Sequence, residues 1–406
     1  MVRSMNKLPE NACAYPFKAA MLMHGTPATP CCRFHHRFLS NADQESVNAY
    51  SALFADIREH NLRNEWHPGC YKCKADEETK GSSMRTEADE FFSEFDHVPK
   101  LEYLEITVGR LCNLKCQTCG PEFSHNWDED YIRFKKHSAE AVALIDKLQK
   151  NQELDFDEID IDTLVNLRHI KVTGGEPFLH KKFMNFIVRL ADAGLAPNIH
   201  MEIFTNCTWW PKKVEYDALM QFKQVTISAS IDAYGKLNDI IRYPSKWDVV
   251  EATLDKWLDF KQQYPQKVNV NIACTISVMN VLYLFDFIVW ARNVKRVNNV
   301  ILQTVYEPNN LSITHWPNWF REKLLDAFRY QYNEIIINPN RVNKMKSLVE
   351  NLCQTSSQNQ DLSAQYIGEL KHVWKLRGFS INDPCIRRLK TLIESDYSGK
   401  IEYIEY

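Results

Sequence analysis

The stretch Leu101-Glu-Tyr-Leu-Glu-Ile-Thr-Val108-Gly109-Arg-Leu-Cys112-Asn-Leu-Lys-Cys116-Gln-Thr-Cys119-Gly-Pro121 decides how the rest of the chain is read. Its first half is rich in aromatic and β-branched residues and reads as a strand. Its second half sets three cysteines on one short loop with the spacing C-x3-C-x2-C. Three thiolates on such a loop can wrap one face of a compact inorganic cube. Iron–sulfur cubes are normally held by four cysteine thiolates. Three leave one iron without a protein ligand, and an open coordination position separates a reactive metal site from a structural one. Gly109 and Gly120 suit the turns at either side. Zinc is the competing occupant, but it prefers four ligands and paired C-x2-C units. The only further ligand candidate nearby is His125.

Outward from this loop the pattern is regular. Strands are expected at 102–108, 167–173, 199–205, 224–230, 267–276 and 299–305. Helices are expected at 138–150, 181–193, 211–220, 247–262 and 281–293. Strands that alternate with helices imply parallel βα units. Right-handed crossovers wind such units into a partial barrel, with its chemistry at the C-terminal ends of the strands. The fold class is therefore α/β: a partial (β/α)6 barrel over 99–312. A small cysteine-rich domain at 1–98 precedes it, and a mainly helical segment at 313–406 follows. Within the first domain the sequence predicts one helix over 44–62, capped by Asp43 or Asn41, and a polar linker over 74–85. The Ser/Gln/Asn-rich stretch 353–361 reads as a loop.

The C-x3-C-x2-C loop after a first strand resembles the signature of the radical S-adenosylmethionine (SAM) superfamily. The form Cys112-Asn-Leu-Lys-Cys116-Gln-Thr-Cys119-Gly-Pro, followed by Phe123-Ser124 and Trp127, is similar to its SPASM/twitch branch. The resemblance implies a 4Fe–4S cluster on Cys112, Cys116 and Cys119. It also implies SAM on the open iron, one-electron cleavage to a 5′-deoxyadenosyl radical, and hydrogen abstraction from a substrate. Thr173-Gly174-Gly175-Glu176-Pro177 stands where the family holds the SAM amino group, by backbone and by the acid. Thr205-Asn206-Cys207 is similar to the family's Thr-Asn-Gly, with a cysteine in place of the glycine. Ser228 and Ser230 match positions that meet the SAM ribose, and Arg242 one that meets its carboxylate; packing and helix capping are the ordinary roles for such residues. Thr118 departs from the family, where a large residue packs near the adenine. Adenine contacts are then expected from the backbone near Thr275 or from Tyr306-Glu307-Pro308. No residue is assigned to catalysis beyond the cluster.

The first domain carries its own cysteines: Cys13-Ala-Tyr-Pro-Phe17, then Gly25, then Pro30-Cys31-Cys32, then Pro68-Gly69-Cys70-Tyr-Lys-Cys73. They resemble a twitch-type auxiliary domain, here ahead of the core instead of behind it. The resemblance implies a second, fully ligated 4Fe–4S cluster on Cys13, Cys31, Cys70 and Cys73. Cys32 is the alternative to Cys31, and a four-cysteine zinc site is the alternative to the cluster. Either metal ties down a small domain with little core of its own. His35, His36 and His67 read as surface or supporting residues. A fully ligated cluster has no open iron and would carry electrons.

Composition narrows the rest. The chain has 406 residues, 45% hydrophobic and 25% charged, and a formal net charge of −3. No strong field draws it to nucleic acid or to an anionic membrane. No apolar run reaches a membrane span, and the first ten residues lack a signal peptide's apolar stretch. A cytoplasmic protein is expected. Twelve cysteines in a reducing compartment point to metal or catalysis, not disulfides. Cys207, Cys274, Cys353 and Cys385 stand alone and read as small buried hydrophobes, with Cys207 near the mouth of a strand. The aromatics Trp209, Trp210 and Trp316 to Phe320 read as core or as the lining of a substrate groove. The expected partners are a small-molecule or peptide substrate and an electron donor such as flavodoxin or ferredoxin. An oxidoreductase fits an auxiliary cluster that accepts the substrate's electron; a non-catalytic iron–sulfur electron carrier is the rival class.

Overall fold

A computed structural model of the chain describes residues 9, 12–40, 46–92, 97–334, 339–355, 362–380 and 382–394. Seven strands form one sheet in sequence order: β1 (Ala19–Met23), β2 (Tyr103–Thr107), β3 (His169–Thr173), β4 (His200–Thr205), β5 (Gln224–Ser230), β6 (Val268–Ile276) and β7 (Asn299–Thr304). The pairs β1–β2, β2–β3, β3–β4 and β6–β7 are parallel. Helices separate β2 to β7, as parallel pairing requires. Among them are Ala139–Lys150, Lys181–Asp192, Lys213–Leu219, Trp247–Gln263 and Leu284–Val289. The fold is α/β, with a parallel sheet of the partial-barrel kind. β2 to β7 coincide with the six strands the alternation predicts; β1 is an addition at the sheet's edge.

The chain divides into two compact units. The first comprises residues 1–111, 146–204 and 211–226. Helix Lys181–Asp192 shows how its core is built: Phe183, Phe186, Ile187 and Leu190 recur at helical spacing and are fully buried. On β2 and β3 the register sets like with like across the strands. The Tyr103 and His169 rings stack at 5.0 Å, Lys171 Nζ donates to Glu105 at 3.0 Å, and the Thr107 and Thr173 hydroxyls meet at 3.2 Å. At the start of β1, Tyr50 Oη donates to the Ala19 carbonyl at 2.8 Å, and Arg58 donates to the Pro16 carbonyl at 3.0 Å.

The amino-terminal segment differs from expectation in two places. The helix read over 44–62 is Ala55–Leu62, because Phe54 takes a left-handed φ of 66° just ahead of it. Residues 41–45, with the caps Asn41 and Asp43, lie outside the described residues. The linker read over 74–85 is instead two helices, Tyr71–Lys80 and Met84–Phe91, joined at Gly81 with φ 74°. Their polar composition is used internally. Arg85 pairs with Glu77 at 2.6 Å, and Ser83 and Thr86 form a capping box.

The departure of the cysteine loop 112–120 is fixed by backbone. Val108 N donates to the Thr173 carbonyl at 3.0 Å, Gly175 N to Gly109 at 2.8 Å, and Glu176 N to Leu111 at 2.9 Å. Gly174 has φ 116°, and a Cβ at Gly175 would stand 2.2 Å from the Leu111 carbonyl oxygen. The two glycines are thus required by the chain's own close approach.

The second unit comprises residues 112–145, 205–210 and 227–406. β6 buries Val268, Val270, Ile272, Cys274 and Ile276 on alternate positions, with Ala273 buried as well. Its carboxyl-terminal part is helical: Asn318–Glu334, Pro339–Gln354, Ser363–Leu376 and Arg387–Glu394. Trp316 and Phe320 are core, with ring centroids 4.1 Å apart and the Trp316 indole donating to the Asn310 carbonyl at 3.1 Å. Trp210 packs on Trp257 at 4.5 Å, whereas Trp209 is exposed. Among the described residues, no helix is long and apolar enough to cross a membrane.

Because the Leu111 carbonyl is backbone and cannot swing aside, Gly175→Ala is expected to cost about 3 kcal/mol in folding stability. Gly81→Ala, where nothing lies within 4 Å of the added Cβ, costs only the strain of its φ. Urea denaturation of both variants checks the difference.

Candidate functional site

All twelve cysteines are free of disulfides. In the second unit the loop 112–120 is held from several sides. Asn206 Nδ2 reaches Cys112 Sγ at 3.8 Å and Asn113 Oδ1 at 2.9 Å, and Asn113 Nδ2 donates to Thr208 at 2.8 Å. Lys115 N donates to the Tyr243 carbonyl at 2.6 Å. The short helix Lys236–Ile241 leaves carbonyls open at its end, as every helix does. Gln117 fills two of them, N to Ile241 at 2.7 Å and Nε2 to Ile240 at 2.8 Å. The Trp127 indole donates to the Cys116 carbonyl at 3.0 Å. His125 Nδ1 accepts the Cys112 amide at 3.4 Å, so this histidine braces the loop's backbone.

Cys112 is buried, and Cys116 and Cys119 are half-buried. Burial raises both of the latter, with Arg242 opposing the rise, and the Cys119 thiol is pushed up to about 12. Thiols of this kind are protonated until a metal takes them as thiolates.

The SAM-binding positions read from the sequence fall in both units. In the first, Glu176 is fully buried and its carboxylate accepts from Phe178 N at 3.4 Å, capping the turn Pro177–Leu179. In the second, Ser228 is fully buried and Ser230 half-buried on β5. Arg242 makes a two-pronged pair with buried Asp232, Nε to Oδ2 at 2.8 Å and Nη2 to Oδ1 at 3.0 Å. Burial lowers the Arg242 pKa, but the Asp232 charge more than offsets it, for a net rise. Asp232 also accepts the Thr275 amide at 2.7 Å, so that N–H is already used by the protein. Asn280 ties the same corner, donating to the Asp232 and Thr275 carbonyls at 2.9 Å each. Cys207 sits buried at φ 56°, the left-handed region that favours glycine.

Beside Cys119 opens a cleft with about 2060 Å³ of empty space, its mouth included. It is lined by residues 117–123, by Tyr131 and Lys135, by residues 307–311, and by Gln365, Glu369 and His372 of the carboxyl-terminal segment. Arg377, which the sequence reading missed, is 7% exposed at the end of helix Ser363–Leu376. A basic residue before a glycine at a helix end is an ordinary sequence feature, so nothing there singled it out.

In the first unit, Cys13, Cys31, Cys70 and Cys73 line one cavity with about 460 Å³ of empty space, its mouth included, together with Tyr15, Phe34, Trp66 and Arg85. Cys32 is not part of it; exposed, its sulfur lies 3.6 Å from Met84 Sδ. Burial raises Cys13 and Cys31, and raises Cys70 to about 12; the neighbouring thiols add to each rise. Among the described residues, the His, Cys, Asp and Glu side chains whose ligand atoms all gather within 4.8 Å are Asp56, His60 and His67. Four thiols around one cavity are a donor set that either an iron–sulfur cube or a zinc ion accepts. His67 Nδ1 accepts Gly69 N at 3.1 Å, which puts its proton on Nε2, 3.6 Å from Asp56; the histidine braces the turn Pro68–Cys70.

Residues 106–272 match the family described as the Radical SAM superfamily. Relatives named GTP 3′,8-cyclase include that of Sulfurimonas denitrificans, 30% identical over 26% of this chain and 27% of the relative. Another, from Campylobacter fetus subsp. fetus, is 23% identical over 59% of this chain and 67% of the relative. The chain spans 27% and 35% of the length of the first two such relatives. Among solved structures, anSMEcpe with bound AdoMet is 16% identical, covering 57% of this chain and 61% of that one with a TM-score of 0.39. Streptococcus suis SuiB bound to S-adenosylmethionine is 15% identical, covering 57% and 44% with a TM-score of 0.32. The likeness to the Radical SAM superfamily is thus one of residues 106–272, the stretch that contains Cys112, Cys116 and Cys119, and that family implies a 4Fe–4S cluster and SAM.

Breaking the Asp232–Arg242 pair leaves a buried cation. Asp232→Asn is therefore expected to cost about 3 kcal/mol of stability. Chemical denaturation of the metal-free protein measures it; a cost under about 1 kcal/mol would mean that the pair contributes little.

Proposed function

We propose that this chain is a radical SAM enzyme. In this reading Cys112, Cys116 and Cys119 hold a 4Fe–4S cluster that, when bound and reduced, cleaves SAM to methionine and a 5′-deoxyadenosyl radical able to take a hydrogen atom from a substrate. One observation carries the reading: the three free thiols lie on a loop that follows β2 directly, inside the matched span 106–272. The chain's own residues have these tasks. Asn206, Gln117 and Trp127 hold the loop. Gly174, Gly175 and Glu176 receive the SAM amino group, Ser228 and Ser230 the ribose. Arg242 keeps Nη1 for the carboxylate while Asp232 fixes the rest of its guanidinium.

Residues 1–98 serve as the auxiliary domain, with Cys13, Cys31, Cys70 and Cys73 on a second cluster that carries electrons. The support for this is the single cavity that the four thiols line. The cleft beside Cys119 is the substrate's place in this reading, and flavodoxin or ferredoxin supplies the electron. The relatives' name makes GTP the first substrate to try; a peptide or another small molecule, and a two-electron oxidation, are the other members of the class.

The test is anaerobic reconstitution with iron and sulfide, then dithionite and SAM, with and without GTP, and chromatography for 5′-deoxyadenosine. Product is expected from the wild type and not from the Cys112/Cys116/Cys119→Ala variant, which should still keep about half the iron, at four irons per site. A fully loaded, reducible protein that shows neither product nor any SAM-induced change in its EPR signal would be an electron carrier instead. Glu176→Gln is expected to weaken SAM binding with iron unchanged, read by calorimetry; unaltered affinity would remove that residue from the site.

A further inference from the structure

Among the described residues, Arg377 is a buried cation with no acid paired to it. Its Nη1 and Nη2 are shielded from solvent and have no hydrogen-bond partner among the described residues. The guanidinium lies 4.9 Å from the Trp127 ring and 5.2 Å from the Tyr243 ring. Both rings belong to residues tied to the cluster loop: the Trp127 indole bonds the Cys116 carbonyl at 3.0 Å, and the Tyr243 carbonyl takes the Lys115 amide at 2.6 Å. Asp130, the acid nearby, is paired with Lys115 Nζ at 2.7 Å. Burial depresses Arg377 to about 10, while Asp130 and Cys116 pull it back up.

The placement is not the one a helix end would choose. Arg377 caps Ser363–Leu376, whose open carbonyls would welcome a cation, yet Gly378 and Phe379 amides satisfy the Lys375 and Trp374 carbonyls and the arginine turns onto the two rings. Leaving such a group unpaired in the interior is unfavourable unless something else brings negative charge. The same corner already contains Arg242, whose charge Asp232 neutralises. Among the described residues, Arg377 is paired with no such acid.

We propose that Arg377 is the charge partner of the cluster on Cys112, Cys116 and Cys119: pressed against Trp127 and Tyr243 at the Cys116 end of the loop, it stabilises the reduced cluster and raises its potential. A cluster on three thiolates is net negative and gains a further negative charge from a low-potential one-electron donor. Net charge and hydrogen bonds to sulfur are among the factors that set such potentials. The inference rests on the three-cysteine cluster of the proposed function, but not on SAM cleavage.

The test is an EPR-monitored redox titration of the full, iron-loaded chain. The relevant signal is assigned as the one lost in the Cys112/Cys116/Cys119→Ala variant, whether or not SAM alters it, so failure of the SAM reading and failure of this one are separable. Arg377→Met is expected to move that midpoint to a more negative value, with the other cluster unmoved and the iron content unchanged; Arg377→Lys recovers part of the shift. An unmoved midpoint, or an equal shift of both clusters, overturns the proposal. Thermal unfolding gives a second readout that survives poor loading of the variant. Metal-free Arg377→Met is expected to be at least as stable as the metal-free wild type, because an unpaired buried charge has been removed. A metal-free variant that melts lower would assign Arg377 a structural partner and overturn the proposal too.

Discussion

The structure depends on how closely residues 108–111 and 173–176 approach each other. Three backbone hydrogen bonds bring them together, and the 2.2 Å gap at Gly175 excludes any side chain there. Cys112 is the next residue after Leu111, so the point at which the cysteine loop leaves β2 is set by main chain, which moves less than side chains do. A glycine pair in this position is usually justified by a ligand's approach. Here the chain's own carbonyl already requires it.

Beyond that point the loop is held by a different kind of force. Polar side chains supply the donors: Asn206, Gln117 and Trp127 meet sulfur or carbonyls that a short irregular loop cannot pair for itself. Around these sit two buried arginines in contrasting states. Arg242 is neutralised by an acid that also gathers the Thr275 amide, so its corner is rigid and electrically closed. Arg377 is stacked on aromatic faces, which attract a cation but do not cancel its charge. Buried charge without a partner destabilises a protein alone; beside a site that gathers thiolates it is balanced when the site fills.

Much of this was legible in sequence because the signals are local. β2 to β7 are short β-rich runs set between helices, and the C-x3-C-x2-C loop declares itself by spacing. The segment 74–85 misled because polarity there does not mean exposure of a flexible chain. Glu77, Ser83 and Arg85 bond one another, a relation visible only once the two helices are in place. β1 escaped notice because Ala19–Met23 carries no β-branched or aromatic residue; its partner is β2, far along the chain. Arg377 was illegible for the same reason: what distinguishes it is that its Nη1 and Nη2 meet no hydrogen-bond partner among the described residues, a relation that sequence cannot state.

β1 also bears on how the first domain relates to β2. Cys13 precedes this strand and Cys31 follows it, while β1 pairs in register with β2 from Ala19 opposite Tyr103 to Met23 opposite Thr107. The cavity that holds Cys13, Cys31, Cys70 and Cys73 is therefore anchored by a strand of the same sheet, not by a flexible tether. Filling that cavity would pin both ends of β1, and through its ladder steady the strand that leads to Cys112.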